Sequence, residues 1–324
     1  MKKRWMSLLL AGTMALSLTA CGSKGADSAQ SGGDSTADSS EPLKIGVVVK
    51  FQHEHYTALM NGAKDAAAEL GCEINAQAPS SPSDVMGQVQ LVEDMVTKGV
   101  DVLLIAPNQP DTLTNILDQA AGKGTTIMAV DTDLPDYDKK TAFVGTGNKE
   151  ALHTAATELA KQLPKGANVI VLRGPLGDAN HELRSAGATE GLEEAGCNVL
   201  EVFDAQSTAE KAAAATEDFL LKYQSQGIDG ILCCDDEMAV GAVTAVKQAG
   251  KLDSIKISGY DGNQAAVEMV GNGELAFDMA QNPYEMGYQA VKEGYKAHNG
   301  EKIDEVIDTG VQLITKDNYK EFQK

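Results

Sequence analysis

From residue 43 onward, short apolar runs rich in β-branched residues alternate with longer stretches whose apolar residues recur at helical spacing. No other feature narrows the fold as much. A strand that is apolar on both faces must be covered on both. A strand–helix–strand repeat meets that need with a parallel sheet between two layers of helices. Strands are read at 43–49, 72–76, 102–105, 126–130 and 142–144, with helices at 56–70, 85–98 and 112–121. The pattern then restarts. Helices are read at 149–163, 186–195, 210–223, 238–249, 264–270 and 284–298. Strands are read at 168–172, 198–203, 230–233, 256–259 and 277–280, with a last one at 306–313. Two successive sets predict an α/β chain of two lobes, with ligands held outside the carboxyl ends of the strands.

The residues before this pattern read differently. Lys2, Lys3 and Arg4 precede an apolar run at 5–18, the layout of a secretory signal peptide. Leu18-Thr19-Ala20-Cys21 resembles a bacterial lipobox, which implies cleavage before Cys21 and lipid attachment to it. Residues 1–20 are thus expected to be the signal. Residues 21–42, rich in Gly, Ser, Ala and Asp, are expected to be a lipid-anchored flexible linker without enough apolar surface to fold. No apolar run after Cys21 reaches the roughly 18 to 20 residues that span a bilayer. Two lipid chains anchor a protein stably without a span. The expected place is the outer face of the cytoplasmic membrane, in a cell with one membrane, with membrane contact through the anchor alone. There the chain has no ATP or NAD pool to draw on, and capture of an external molecule becomes the leading function.

Charge narrows the partners. The 324 residues carry a formal charge of -20, and the expected signal holds three of the positive charges. This argues against nucleic acid and against broad adhesion to anionic lipid. Besides Cys21 there are Cys72, Cys197, Cys233 and Cys234, too few for a disulfide framework and not spaced as metal ligands. Cys233-Cys234 ends an apolar run and reads as buried packing.

Polar residues recur where strands end. The predicted strands run into Asp131-Thr132-Asp133, Asp235-Asp236-Glu237, Asp261-Gly262-Asn263 and Gln281-Asn282-Pro283. Asn180 and Arg184 lie before a helical run beginning near Gly187. Carboxylates and amides at such points can run acid–base chemistry or bind a polyhydroxylated ligand. A carboxylate can accept from two adjacent hydroxyls, and the arginine fork can donate to two ligand oxygens. An aspartate after a strand can also cap the next helix. That reading is assigned to Asp236 and Asp111 rather than to Asp131, Asp235 or Asp261.

These segments resemble the ribose/allose/galactose group of type I periplasmic sugar-binding proteins. The resemblance is carried by Asp235-Asp236-Glu237-Met238-Ala239-Val240-Gly241-Ala242, Gly259-Tyr260-Asp261-Gly262 and Ala280-Gln281-Asn282-Pro283. Residues 88–93 with Ala106-Pro107, Gly177-Asp178-Ala179-Asn180 with Arg184, and Gly187-Ala188-Thr189-Glu190 add to it, and these are most similar to the allose-binding branch. It runs in order over nearly all of 43–324. The resemblance implies two Rossmann-like lobes joined by a three-segment hinge, 43–146 with 282–308 and 147–281 with 309–324. It implies a monomer that delivers a sugar to an ABC permease, with no cofactor. Its sugar contacts fall on Asp131, Arg184, Asp235, Asp261 and Gln281.

The first loop departs from that pattern. Relatives place Asn-Pro and two aromatics after the first strand, whereas this chain reads Lys50-Phe51-Gln52-His53-Glu54-His55-Tyr56, matching in Tyr56. Relatives often follow the counterpart of Asp131 with Arg or an acid, and here Thr132 stands there. Lys50, His53, His55, Tyr56, Thr132 and Asn180 therefore join the expected ligand contacts. The only Trp, Trp5, lies in the expected signal, so ring stacking falls to Tyr56, Phe51 or Tyr260. On an extended segment His53 and His55 would point the same way, which raises a metal reading. His153, His181 and His298 fall in unrelated segments, and no metal is expected. No Gly-x-Ser-x-Gly elbow, phosphate loop or dinucleotide fingerprint is present, so no enzyme is expected. The alternative cargo is a nucleoside, a polyol or a furanosyl signalling molecule.

Overall fold

The computed structural model describes residues 41–81 and 83–323. The expected signal, Cys21 and nearly all of the linker lie outside the described residues. Pro42–Lys324 forms one compact unit.

Five strands of the first sheet are β1 (Lys44–Val48), β2 (Glu73–Gln77), β3 (Val102–Ile105), β4 (Thr126–Val130) and β5 (Ala142–Gly145), all paired in parallel. The second sheet repeats the plan with β6 (Asn168–Arg173), β7 (Asn198–Asp204), β8 (Gly230–Cys233), β9 (Lys256–Asp261) and β10 (Phe277–Gln281). The orders are β2-β1-β3-β4-β5 and β7-β6-β8-β9-β10. Central strands such as β3 are buried throughout, as their unbroken apolar sequence requires.

The last two strands divide between the sheets. β11 (Val306–Asp308) joins the first sheet beside β5, in parallel, and β12 (Val311–Ile314) joins the second beside β10, antiparallel. The predicted single strand at 306–313 is therefore two strands. Gly310, at φ 67°, turns the chain between them, a conformation open to glycine without strain.

Helices α1 (Glu54–Leu70), α2 (Val85–Lys98), α3 (Pro110–Gly122) and α9 (Pro283–His298) cover the first sheet. Helices α4 (Asn148–Ala160), α5 (Ala179–Glu194), α6 (Ala209–Lys222), α7 (Asp236–Gln248) and α8 (Gln264–Asn272) cover the second. The first lobe holds a core on each face of its sheet. α1 and α9 close the first of these, with Leu59, Met60 and Ala63 packed with Met286, Ala290 and Val291. Their backbones nearly touch. A Cβ on Gly287 would stand 1.9 Å from the Leu59 carbonyl oxygen, and one on Gly62 would stand 2.0 Å from that of Tyr284.

The chain crosses between lobes after β5, after β10 and between β11 and β12. The first and last crossings are tied together. The Asp308 carboxylate accepts from Gly310 N–H at 2.9 Å and from Gly147 N–H at 3.4 Å, and the Thr146 hydroxyl donates to the Gly310 carbonyl at 3.5 Å.

Several boundaries depart from the sequence reading for identifiable reasons. α5 starts at Ala179 rather than 186, because the Asp178 carboxylate caps it by accepting from His181 N–H at 3.1 Å. β9 runs on to Asp261. α1 starts at Glu54, so His53 is its cap and His55 lies inside the helix; the two histidines do not share an extended segment. No helix among the described residues is long and apolar enough to cross a membrane.

Candidate functional site

The carboxyl ends of both sheets face one cavity of about 580 Å³ between the lobes. Its size suits a small ligand. The first lobe supplies Lys50, Phe51 and His53 from the loop after β1, His55 and Tyr56 from the first turn of α1, Asn108 after β3 and Asp131 after β4. The second supplies Asp178, Asn180, His181 and Arg184 around the start of α5, Ser207 after β7, Asp235 after β8 and Asp261 at the end of β9. Gln281, at the end of β10, reaches in from the crossover.

Asp131 is positioned by an unusual backbone. Its φ is 63°, in the left-handed region that aspartate tolerates better than most residues. Its carboxylate meets His55 Nε2 at 2.9 Å and accepts from the Tyr56 hydroxyl at 3.1 Å and the Thr132 hydroxyl at 2.9 Å. Burial alone would raise its pKa. The hydrogen bond and charge of His55, with the Lys50 charge and the Thr132 hydroxyl, hold it well below the usual carboxylate range. Asp131 is therefore a buried, fully ionised acceptor.

Arg184 anchors the opposite wall. Its Nε donates to Asn148 Oδ1 at 2.7 Å and its Nη1 to the Cys234 carbonyl at 3.1 Å. Nη1 lies 3.5 Å from Asp261 Oδ1, and the guanidinium sits 4.4 Å above the buried Tyr260 ring. Burial opposes its charge, but Asp261, Tyr260, Asp131 and Asp235 together outweigh that and keep it protonated. Nη2 has no protein acceptor among the described residues, which leaves donors for a ligand. Gln281 Nε2 donates to Asp261 Oδ1 at 2.6 Å, at a φ of 130° for Asp261.

Several contacts bridge the lobes at or beside the cavity, among them Gln264 N–H donating to Glu54 Oε1 at 3.3 Å. Lys50 Nζ pairs with Asp178 at 3.2 Å. Asn180 Nδ2 donates to Thr132 Oγ1 at 3.0 Å and to the Asp131 carbonyl at 3.3 Å. The Lys50 loop is braced from beneath. Buried Gln88 donates to the Val49 and Ala106 carbonyls at 3.1 and 2.8 Å, and Asn108 Nδ2 donates to the Lys50 carbonyl at 3.1 Å.

Lys50, His53, His55, Tyr56, Asp131, Asn180, Arg184, Asp235, Asp261 and Gln281, all expected contacts, line the cavity together. Thr132 does not. Its hydroxyl is spent on Asp131 and Asn180, and it lines an adjoining cavity of about 600 Å³ that shares Lys50, Asn108 and Asp178. The capping assignments also change. Asp235 is the cap of α7, accepting from Met238 N–H at 2.8 Å. Asp236 instead accepts from Tyr260 N–H at 2.9 Å and Asn263 N–H at 2.7 Å, tying β9 to α7. Gln109, not Asp111, occupies the cap position of α3.

His181 is not in an unrelated segment but in the cavity wall. Gly174 N–H donates to its Nδ1 at 3.2 Å, so Nε2 carries the hydrogen and meets Ser207 Oγ at 3.0 Å. Burial, then the Arg184 charge, pull its pKa down to about 3, so it is neutral near pH 7. The signal for it was Asp178. A cap there starts the helix at 179 and places 180, 181 and 184 along one side.

Residues 45–302 match the periplasmic binding protein domain family. The chain belongs to that family. This periplasmic binding protein is 28% identical over 295 residues to a putative rhizopine-binding protein of Rhizobium meliloti, covering 89% of this chain and 94% of the relative. It is 28% identical over 291 residues to a D-ribose/D-allose-binding protein of Pseudomonas aeruginosa, covering 86% and 91%. An ABC transporter periplasmic solute-binding protein from Actinobacillus succinogenes, solved with D-allose bound, superposes with a TM-score of 0.80. That structure shares 26% identity and covers 86% of this chain and 99% of its own.

Proposed function

We propose that this periplasmic binding protein captures a monosaccharide in the interlobe cavity and hands it to an ABC permease. The observation that carries the reading is the convergence of Asp131, Arg184, Asp235, Asp261 and Gln281 on one cavity between two lobes. Ionised carboxylates accept from vicinal hydroxyls while Arg184 donates to ring or hydroxyl oxygens. Tyr56 and Phe51, whose ring centroids are 5.4 Å apart, offer apolar surface to a sugar ring. The names of its relatives support a sugar, and the family supports a role outside the cytoplasm.

The two lobes are the units that move. Three crossings between the sheets act as the hinge, an open form admits the sugar, and closure shuts out water and strengthens each hydrogen bond. The closed shape is what the permease recognises. The mature chain works as a monomer tethered through a lipid on Cys21.

A thermal-shift screen of the purified protein against pentoses, hexoses, polyols and nucleosides tests this. A ligand at 100 times its Kd adds about 2.7 kcal/mol to native stability. A clear rise with a pentose or hexose is expected. A rise with a nucleoside alone, or with none of them, overturns the reading.

A further inference from the structure

The charges around the cavity do not balance. Asp131, Asp178, Asp235 and Asp261 line it, and Glu237 adds a fifth carboxylate at the exposed rim. Against them stand Lys50 and Arg184. Lys50 is engaged by Asp178 and Arg184 by Asp261. Asp131 is satisfied by His55, Tyr56 and Thr132. Even with His53 and His55 both counted as cations, the carboxylates remain in excess.

The excess falls on Asp235. This side chain is 5% exposed, and its Oδ1 accepts from Met238 N–H. The group facing its Oδ2 is His181 Nε2, at 3.7 Å, from a ring that carries no charge near pH 7. Burial, then the Asp261 charge, push Asp235 up to about 6, against the Ser207 and Met238 donors and Arg184. At pH 7 it is therefore mostly ionised and without a cation of its own. An unmatched buried carboxylate is costly and is relieved by a proton or by a ligand's positive charge.

We propose that the cavity selects a polyhydroxylated ligand that carries an ammonium group, held against Asp235 and Asp261. This rests on the reading of the cavity as a sugar site. Hydroxyls alone leave the excess charge in place once the cavity closes. An ammonium offers three donors and cancels it, while the hydroxyls are read by Asp131, Arg184 and Gln281.

The test is calorimetry on the full purified chain with matched probes: D-glucosamine and D-glucose, D-galactosamine and D-galactose, glucamine and sorbitol. In at least one pair the amine is expected to bind about tenfold more tightly than its neutral partner. Asp235→Asn removes the charge and keeps the helix cap, since asparagine caps as well as aspartate. In that variant the ratio is expected to fall toward one, and its melting curve checks the fold. Neutral members binding as tightly as the amines would overturn the proposal and leave the sugar reading standing. An amine preference that survives Asp235→Asn would overturn the assignment to Asp235. Failure of every member of every pair would count against the sugar reading itself, and this proposal with it.

Discussion

Three donors on one carboxylate make Asp131 the most defined acceptor in the first lobe. Asp131→Asn keeps the shape but turns one acceptor into a donor aimed at Tyr56, Thr132 or His55. Ligand affinity should fall by about tenfold or more, measured by calorimetry, since charged hydrogen bonds are worth roughly 1.5 to 3 kcal/mol. Asp235 behaves in the opposite way. Its folded pKa, about 6, lies above the ordinary 3.8. A carboxyl raised on folding contributes its stability fully below the ordinary value and loses it as pH rises through the folded value. Asp235→Asn should therefore raise the melting temperature of the ligand-free protein at pH 8. The gain is at most about 3 kcal/mol, and it should vanish near pH 4. Thermal melts at the two pH values check this, and equal gains at both would show that the charge is not the cause. Asp131, Asp235 and Asp261 were legible in the sequence because each follows an apolar run. His181 and Asp178 were not, because their place depends on where α5 begins.

At the scale of elements, the strand–helix alternation carried nearly the whole topology. What it missed were ends. A cap such as Asp178 is one residue among many acids until a partner N–H is known, and the two short strands β11 and β12 read as one because only the Thr309-Gly310 turn separates them. Close helix packing was also hidden. The glycines at 62 and 287 look like weak helix formers, yet they let α1 and α9 approach until backbone meets backbone. Gly287→Ala must push the helices apart and should destabilise the protein by about 1 to 3 kcal/mol, despite the better helix propensity of alanine. Urea unfolding measures this, and a neutral or stabilising result would show that the helices can separate freely.

For the molecule as a whole, the contacts between the lobes beside the cavity are polar. Asn180 reaches the first lobe at two acceptors, and Lys50 pairs with Asp178 nearby. Asn180→Ala should weaken the closed form. Small-angle scattering should show a larger radius of gyration for the ligand-free variant, and stopped-flow fluorescence should show ligand release about tenfold faster. An unchanged radius and release rate would mean that closure rests elsewhere. The crossings carry a further consequence, for biogenesis. The first lobe is begun first but closed late, because α9 and β11 follow the whole of α4–β10 in the chain, with β12 and the C-terminal residues of the second lobe still to come. Until residue 298 has been made, Leu59, Met60 and Ala63 lack the cover of Met286, Ala290 and Val291. A chain that emerges N-terminus first thus presents a nearly complete second lobe beside a first lobe with one apolar face still open. Until α9 docks, that open face is the kind of apolar surface that makes an incomplete fold prone to aggregate.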